Sequence, residues 1–139
     1  MRLFLDANIC LDLLDTTRPT SKASVAWYMK YKDDASLEFY FSGDFITTFY
    51  YILTERRKID AQVVVNAIDA LSQEVEPFYL KQSDFTEAKE SFLHGILNDF
   101  EDLMILHSAL RNKSSTFITQ DKYLLALDKL DDMKIQTAS

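Results

Sequence analysis

The stretch that decides the fold is residues 3–14, LFLDANICLDLL. It opens with three apolar residues, a run typical of a short buried strand, and that run ends at Asp6. Asn8 is of a residue type that favours the N-cap position, so a helix is predicted over residues 9–14, with Asp12 on its polar side. The chain thus begins as a strand that ends in an acid and is followed at once by a helix.

The alternation of strand and helix continues along the chain. Further strands are predicted at residues 38–42, 75–80, 116–119 and 133–135. Helices are predicted between them, at residues 21–31, 45–58, 60–71, 83–93, 99–112 and 122–127. Pro77 is expected to place its strand at an edge, Ser83 is expected to cap its helix, and residues 45–51 also fit a strand. Strands separated by such helices pair in parallel through right-handed crossovers. The predicted fold class is α/β, with a three-layer α/β/α arrangement around a central parallel sheet of about four to five strands. One domain is expected over residues 1–139.

The composition excludes several classes of protein. Of the 139 residues, 47% are hydrophobic, two are Gly and two are Pro, which excludes disordered and loop-dominated chains. The single cysteine, Cys10, excludes a disulfide framework and a cysteine zinc cluster. The net charge of −7 argues against coating nucleic acid with bulk positive charge, but it permits an enzyme that reaches phosphates through carboxylate-held metal ions. With no signal-peptide layout and no membrane-length apolar run, a cytoplasmic protein without a membrane segment is expected.

Four acids are singled out by their positions. Asp6 and Asp121 follow strands, where ligands bind in open parallel sheets, and Asp99 and Asp102 share one face of a helical first turn. Each acid could instead cap a helix or favour its dipole. Two like charges on one face repel unless a cation lies between them, and hard divalent cations take oxygen ligands. An acidic metal pocket formed by these four residues is therefore the hypothesis we favour.

At these residues the sequence resembles the PIN-domain family, and within it the VapC-type toxin ribonucleases. The resemblance lies in four segments that occur in the family's order and together cover nearly the whole chain: residues 4–12, 45–53, 99–104 and 117–121. The resemblance implies a parallel sheet flanked by helices and cleavage of RNA phosphodiester bonds with Mg²⁺ or Mn²⁺. It also implies an antitoxin protein as a partner and a possible homodimer.

Carried over by motif, the resemblance assigns roles to individual residues. Asp6, Asp102 and Asp121 fall on metal-binding acidic positions, and Asp99 is an additional catalytic acid. Asn8 and Thr119 fall on two polar positions that support these acids.

The second motif departs from the family pattern. Many members carry a glutamate where this chain has Thr48, and Glu55 lies two helical turns further along the same face. Glu55 could reach the pocket, or it could be a surface partner for a neighbouring cation. The departure keeps a second hypothesis open, namely a catalytically weak or inactive PIN-like scaffold that binds a partner protein.

The densest basic run follows in the same segment and consists of Arg56, Arg57 and Lys58. It could bind RNA phosphates beside the acidic pocket, or it could be a solvated helix end whose cations favour the dipole. The sequence supports both interpretations about equally.

Overall fold

The computed structural model describes residues 1–139. Its strands are β1 Arg2–Leu5, β2 Glu38–Ser42, β3 Glu76–Phe78, β4 Thr116–Ile118, β5 Lys129–Leu130 and β6 Met133–Gln136. Its α-helices are α1 Ala7–Leu14, α2 Ser21–Tyr31, α3 Ile46–Tyr51, α4 Ala61–Glu74, α5 Gln82–Leu93, α6 Phe100–Arg111 and α7 Lys122–Leu127. None of these helices has both the length and the apolar character needed to cross a membrane.

The six strands form one sheet in the order β3-β2-β1-β4-β6-β5. All neighbouring pairs are parallel except β5 and β6. The predicted α/β class, the parallel core of the sheet and the edge position of the strand that contains Pro77 are confirmed. The short antiparallel strand β5 was not predicted, because two residues are too few to show a periodic pattern.

A hydrophobic core lies on each face of the sheet. One core joins β1, β2 and β4 to helices α1 to α4, and the other joins the same strands to α6 and α7. Along β1, Leu3 and Leu5 face the first core and Phe4 faces the second. Because strand side chains alternate with a period of two, the position after Leu5 turns toward the α6 side. The same alternation in β2 and β4 turns Ser42 and Thr119 to that side, level with Asp6.

The segment after β2 is helical but irregular. A 3-10 turn over Gly43–Phe45 leads into α3, and a π-helical turn over Ile52–Arg56 continues it. The helical prediction for residues 45–58 is therefore confirmed over most of its length, and the strand alternative is wrong. Phe49 and Leu53 are the buried anchors of the segment, which fixes it against the first core.

Several predicted caps are placed differently in the structure. Asp6 caps α1, because its carboxylate accepts a hydrogen bond from the Ala7 N–H at 2.8 Å, so the prediction of Asn8 as the cap is wrong. Helix α5 begins at Gln82, and the Asp84 carboxylate accepts the Lys81 N–H at 2.8 Å, so Ser83 is not its cap. Both differences arise because a side chain takes whichever free N–H of the first turn it can reach.

Candidate active site

Three of the four singled-out acids are N-caps at the carboxyl edge of the sheet. Asp6 caps α1 directly after β1, and Asp121 caps α7 three residues after β4 by accepting the Tyr123 N–H at 2.8 Å. Asp99 caps α6 by accepting the Asp102 N–H at 3.1 Å. The capping and pocket interpretations therefore do not compete, because the cap geometry is what brings these carboxylates to the same edge.

Hydrogen bonds hold the Asp6 carboxylate in place. The Thr119 hydroxyl donates to Asp6 Oδ2 at 2.7 Å, and the Asn8 amide lies 3.4 Å from the same oxygen. The Thr119 oxygen in turn accepts the Asp121 N–H at 3.0 Å, and the Asn8 carbonyl accepts the Gln120 N–H at 3.3 Å. The first and fourth motifs are thus joined into one polar network through the residues predicted to support the site.

An open cavity of about 750 Å³ lies in front of this network. Three of the acids line it, namely Asp99, Asp102 and Asp121. Asp6 does not line the cavity, although its charge contributes to the raised pKa of Asp102.

The pKa values show how crowded these carboxylates are. Burial raises the pKa of Asp102 to about 7, and the charges of Asp99, Asp6 and Asp121 add to the rise. Burial also raises the pKa of Asp6 despite its hydrogen bonds, and Asp121 and Glu101 contribute by charge repulsion. Asp6 and Asp102 are thus costly to ionise, first because they are buried and then because other acids lie near them. Glu101 was not assigned a role from the sequence, although it lies inside the third motif between two acids that were.

No basic side chain offsets this charge. The five ion pairs of the molecule involve other acids, and none includes Asp6, Asp99, Asp102 or Asp121. No group of three or more acidic, imidazole or thiol side chains converges closely enough to hold a metal ion in this arrangement. In chemical type, however, the carboxylates match the hard oxygen donors that Mg²⁺ and Mn²⁺ prefer.

The second-motif residues lie away from the cavity. Thr48 and Glu55 are both exposed, and neither lines it. Arg57 forms an ion pair with Asp15 at 2.9 Å and donates to Thr17, so its guanidinium already has an intramolecular role. The exposed cations of the basic run that carry no such ion pair are Arg56, whose guanidinium lies 5.9 Å from the Tyr51 ring centre, and Lys58.

Asp12 is a buried structural acid, so its predicted place on the polar side of α1 is wrong. Its carboxylate accepts hydrogen bonds from Arg18 at 2.8 Å, Thr20 at 2.7 Å, and Ser24 and Gln120 at 2.5 Å each. Burial alone would raise its pKa, but these donors hold the pKa of Asp12 below its ordinary value. The network fixes Gln120, the residue between Thr119 and Asp121, and so braces the fourth motif from behind.

Ser42 is a further residue that sequence reasoning missed. Its hydroxyl is the one buried side-chain polar group without a hydrogen-bond partner. The register of β1 and β2 places Ser42 level with Asp6 at the carboxyl edge of the sheet. The only sequence signal was its position as the last residue of a predicted strand.

Together, the fold and the site define a class: a three-layer α/β domain whose parallel sheet ends in a cluster of carboxylates without basic partners. The family model described as the PIN domain matches residues 3–130. The chain belongs to the PIN-domain family. No curated protein matches it by sequence.

Solved structures share the fold. VapBC2 from Rickettsia felis, bound to a DNA fragment from its promoter, aligns with a TM-score of 0.71 at 12% identity over 99% of this chain and 98% of that one. VapC20 from Mycobacterium tuberculosis, a sarcin-ricin loop cleaving toxin, aligns with a TM-score of 0.70 at 12% identity over 95% of this chain and 98% of that one. VapBC-1 from nontypeable Haemophilus influenzae aligns with a TM-score of 0.66 at 19% identity over 99% of this chain and 98% of that one.

Proposed function

We propose that this protein is a metal-dependent endoribonuclease and the toxin of a toxin–antitoxin pair. The observation that carries the proposal is the crowding of Asp6, Asp99, Asp102 and Asp121 at the carboxyl edge of the sheet without a basic partner. Such a cluster is unfavourable alone and becomes favourable beside a divalent cation. Membership of the PIN-domain family and structural similarity to a sarcin-ricin loop cleaving toxin support RNA as the substrate.

Asp6, Asp102 and Asp121 are the residues that would hold Mg²⁺ or Mn²⁺, with Asp99 as an additional acid of the pocket. When bound, the metal lowers the pKa of a water molecule and offsets charge on the scissile phosphate. Thr119 and Asn8 orient Asp6 through the hydrogen bonds described above. Asp102 can hold a proton near neutral pH in the absence of metal, since its pKa is about 7.

Single-stranded or looped RNA fits this site better than a closed duplex, because side chains cannot read the deep major groove of A-form RNA. The acidic cavity repels a phosphate until a cation is present, so metal controls both RNA binding and cleavage. Arg56 and Lys58 are the exposed cations of the basic run that could contact more distant phosphates.

An antitoxin protein is the partner we propose, by analogy with the VapBC assemblies that share this fold. A cytoplasmic location belongs to the same proposal, and so does a homodimer. Isolation of the protein with the product of an adjacent gene, and its mass in solution, test these points.

A second candidate function is a PIN-like scaffold that binds a partner protein and has little or no nuclease activity. Thr48 favours it, because this exposed hydroxyl stands where many family members carry a glutamate. The lack of three ligands already converged on one point also favours it.

Cleavage of short single-stranded RNA in Mg²⁺ or Mn²⁺ separates the two candidates. Wild-type protein should cleave, chelator should stop it, and Asp6→Asn should abolish it while the variant stays folded. Asp132→Asn, which removes a charge from an exposed site near the C-terminus, is the matched control and should cleave normally. Equal cleavage by wild type and Asp6→Asn would refute the metal mechanism, and a wild type without activity or metal binding would favour the scaffold.

A further inference from the structure

The cavity lining is chemically mixed. Besides the carboxylates of Asp99, Asp102 and Asp121, it contains four apolar or aromatic side chains, the apolar lining, namely Ile96, Leu97, Phe100 and Tyr123. No Lys or Arg side chain lines the cavity. An anionic group is therefore disfavoured against the apolar lining, whereas a flat neutral group can pack there.

Tyr123 is the most exposed of the large hydrophobic side chains in the molecule, with 82% of its surface accessible. None of the aromatic pairs in the protein includes it, so both faces of its ring are free of aromatic partners. Phe100, which also lines the cavity, is by contrast packed edge-on against Phe85 and Phe92, with ring centres 5.6 Å apart in each pair. The apolar lining therefore combines one packed aromatic ring with one unpaired ring.

Tyr123 lies close to one of the acids. Both Tyr123 and Asp121 line the cavity, and the Tyr123 backbone N–H donates to the Asp121 carboxylate at 2.8 Å in the first turn of α7. A nucleotide whose phosphate lies among the carboxylates can thus have its base within reach of the ring. Aromatic side chains bind bases of single-stranded nucleic acid by stacking, with little dependence on sequence.

We propose that Tyr123 and the rest of the apolar lining form a nucleobase subsite that stacks the base adjoining the scissile phosphate. This inference rests on the proposed function, since it takes single-stranded RNA as the ligand. It adds to that function a residue that positions the substrate and takes no part in the chemistry. Tyr123 should therefore determine the affinity for RNA, and it should leave the catalytic step intact.

Binding of a fluorescently labelled single-stranded RNA, followed by anisotropy in Ca²⁺ in place of Mg²⁺, tests the subsite. Ca²⁺ takes the same type of oxygen ligand. Tyr123→Ala should weaken binding about tenfold, whereas Tyr123→Phe should bind like wild type, because stacking needs the ring and not the hydroxyl. Tyr79→Ala is the matched control, since Tyr79 is also exposed but lies outside the cavity, and it should bind normally.

A second change, in the RNA, shows whether Tyr123 contacts the base. The RNA carries one abasic ribose beside the cleaved bond, and its binding is compared with that of the intact RNA for both proteins. Wild type should bind the abasic RNA more weakly than the intact RNA, whereas Tyr123→Ala should bind the two RNAs equally, because the mutation and the missing base remove the same contact. In Mg²⁺, the Ala variant should show a raised KM with an unchanged kcat.

The outcomes distinguish this inference from the function on which it rests. Unchanged RNA binding by Tyr123→Ala, or equal losses on the abasic RNA for both proteins, would overturn the subsite while leaving the nuclease in place. Tyr123-dependent binding without cleavage in Mg²⁺ or Mn²⁺ would support the subsite and overturn the nuclease. A wild type that binds none of the RNAs would overturn both.

Discussion

Replacing Asp102 with Asn should stabilise the metal-free protein at neutral and higher pH. In the unfolded chain this carboxyl titrates near 3.8, and in the folded protein its pKa is about 7. The folded state therefore binds more protons between those values, so the free energy of unfolding falls as the pH rises through this window and stays reduced above it. Asp102→Asn removes the ionisable carboxyl, so the variant should not lose this part of the free energy of unfolding as the pH rises.

The size of the effect follows from the shift. Three pKa units at 1.36 kcal/mol each would be about 4 kcal/mol. Because solvent screens a partly exposed side chain, about 1 to 2 kcal/mol is expected. An acid in the first turn of a helix also interacts favourably with the dipole, and losing that interaction offsets about 0.5 kcal/mol. The net gain corresponds to a rise in Tm of about 2 to 6 °C for a chain of this size.

Thermal unfolding in chelator across the pH range is the appropriate assay, with Asp132→Asn as the control for loss of an exposed charge. The Asp102→Asn gain should be largest above about pH 7 and should disappear only below about pH 4, where the wild-type carboxyl is protonated in the unfolded as well as the folded state. Added Mn²⁺ should stabilise wild type more than the variant and so reverse the order. A loss of stability at high pH, or a gain independent of pH, would refute the crowding argument.

Three further predictions concern the surroundings of the site. Ser42→Ala should leave the Tm unchanged or raise it slightly, because the hydroxyl has no partner to lose; a clear drop measured by calorimetry would show an unrecognised hydrogen bond. Asp12→Asn should lower the free energy of unfolding in urea by about 2 to 4 kcal/mol, because it leaves the Arg18 guanidinium without its carboxylate; a loss below about 0.5 kcal/mol would contradict this. Glu55→Gln should reduce RNA cleavage much less than Asp6→Asn, and an equal loss in a kinetic assay would show that Glu55 enters the site in the presence of substrate.

Much of the fold could be predicted because its signals are local. The strand that ends at Asp6 and the helices at residues 21–31 and 122–127 follow from apolar runs, periodicity and caps within a few residues. Parallel pairing then follows from the length of the connections. Some of the features that were missed depend on partners outside their own element. The Asp12 carboxylate accepts hydrogen bonds from the segment after α1, from α2 and, through Gln120, from the loop after β4, and no pattern within α1 reveals these contacts.

The candidate site, like the fold, has some features with local sequence signals and others that depend on distant parts of the chain. Position relative to predicted strands and helices was enough to single out Asp6 and Asp121, since the carboxyl ends of neighbouring parallel strands share an edge. Their shared hydrogen bonds with Thr119, the unpaired Ser42 hydroxyl and the exposed ring of Tyr123 depend on strand register and on the shape of the cavity. Neither can be derived from residue spacing, so these features emerged only from the structure.

The central claim is that the acidic cluster is a metal site, and titration with Mn²⁺ followed by the electron paramagnetic resonance signal of the free ion tests it most directly. Wild-type protein and Asp132→Asn should remove Mn²⁺ from solution with the same saturable affinity, and Mg²⁺ should compete for the site. Asp6→Asn and Asp102→Asn, each folded by circular dichroism, should bind at least tenfold more weakly, about 1.4 kcal/mol or more. Saturable binding that both variants retain, or no binding by the wild type, would contradict the account.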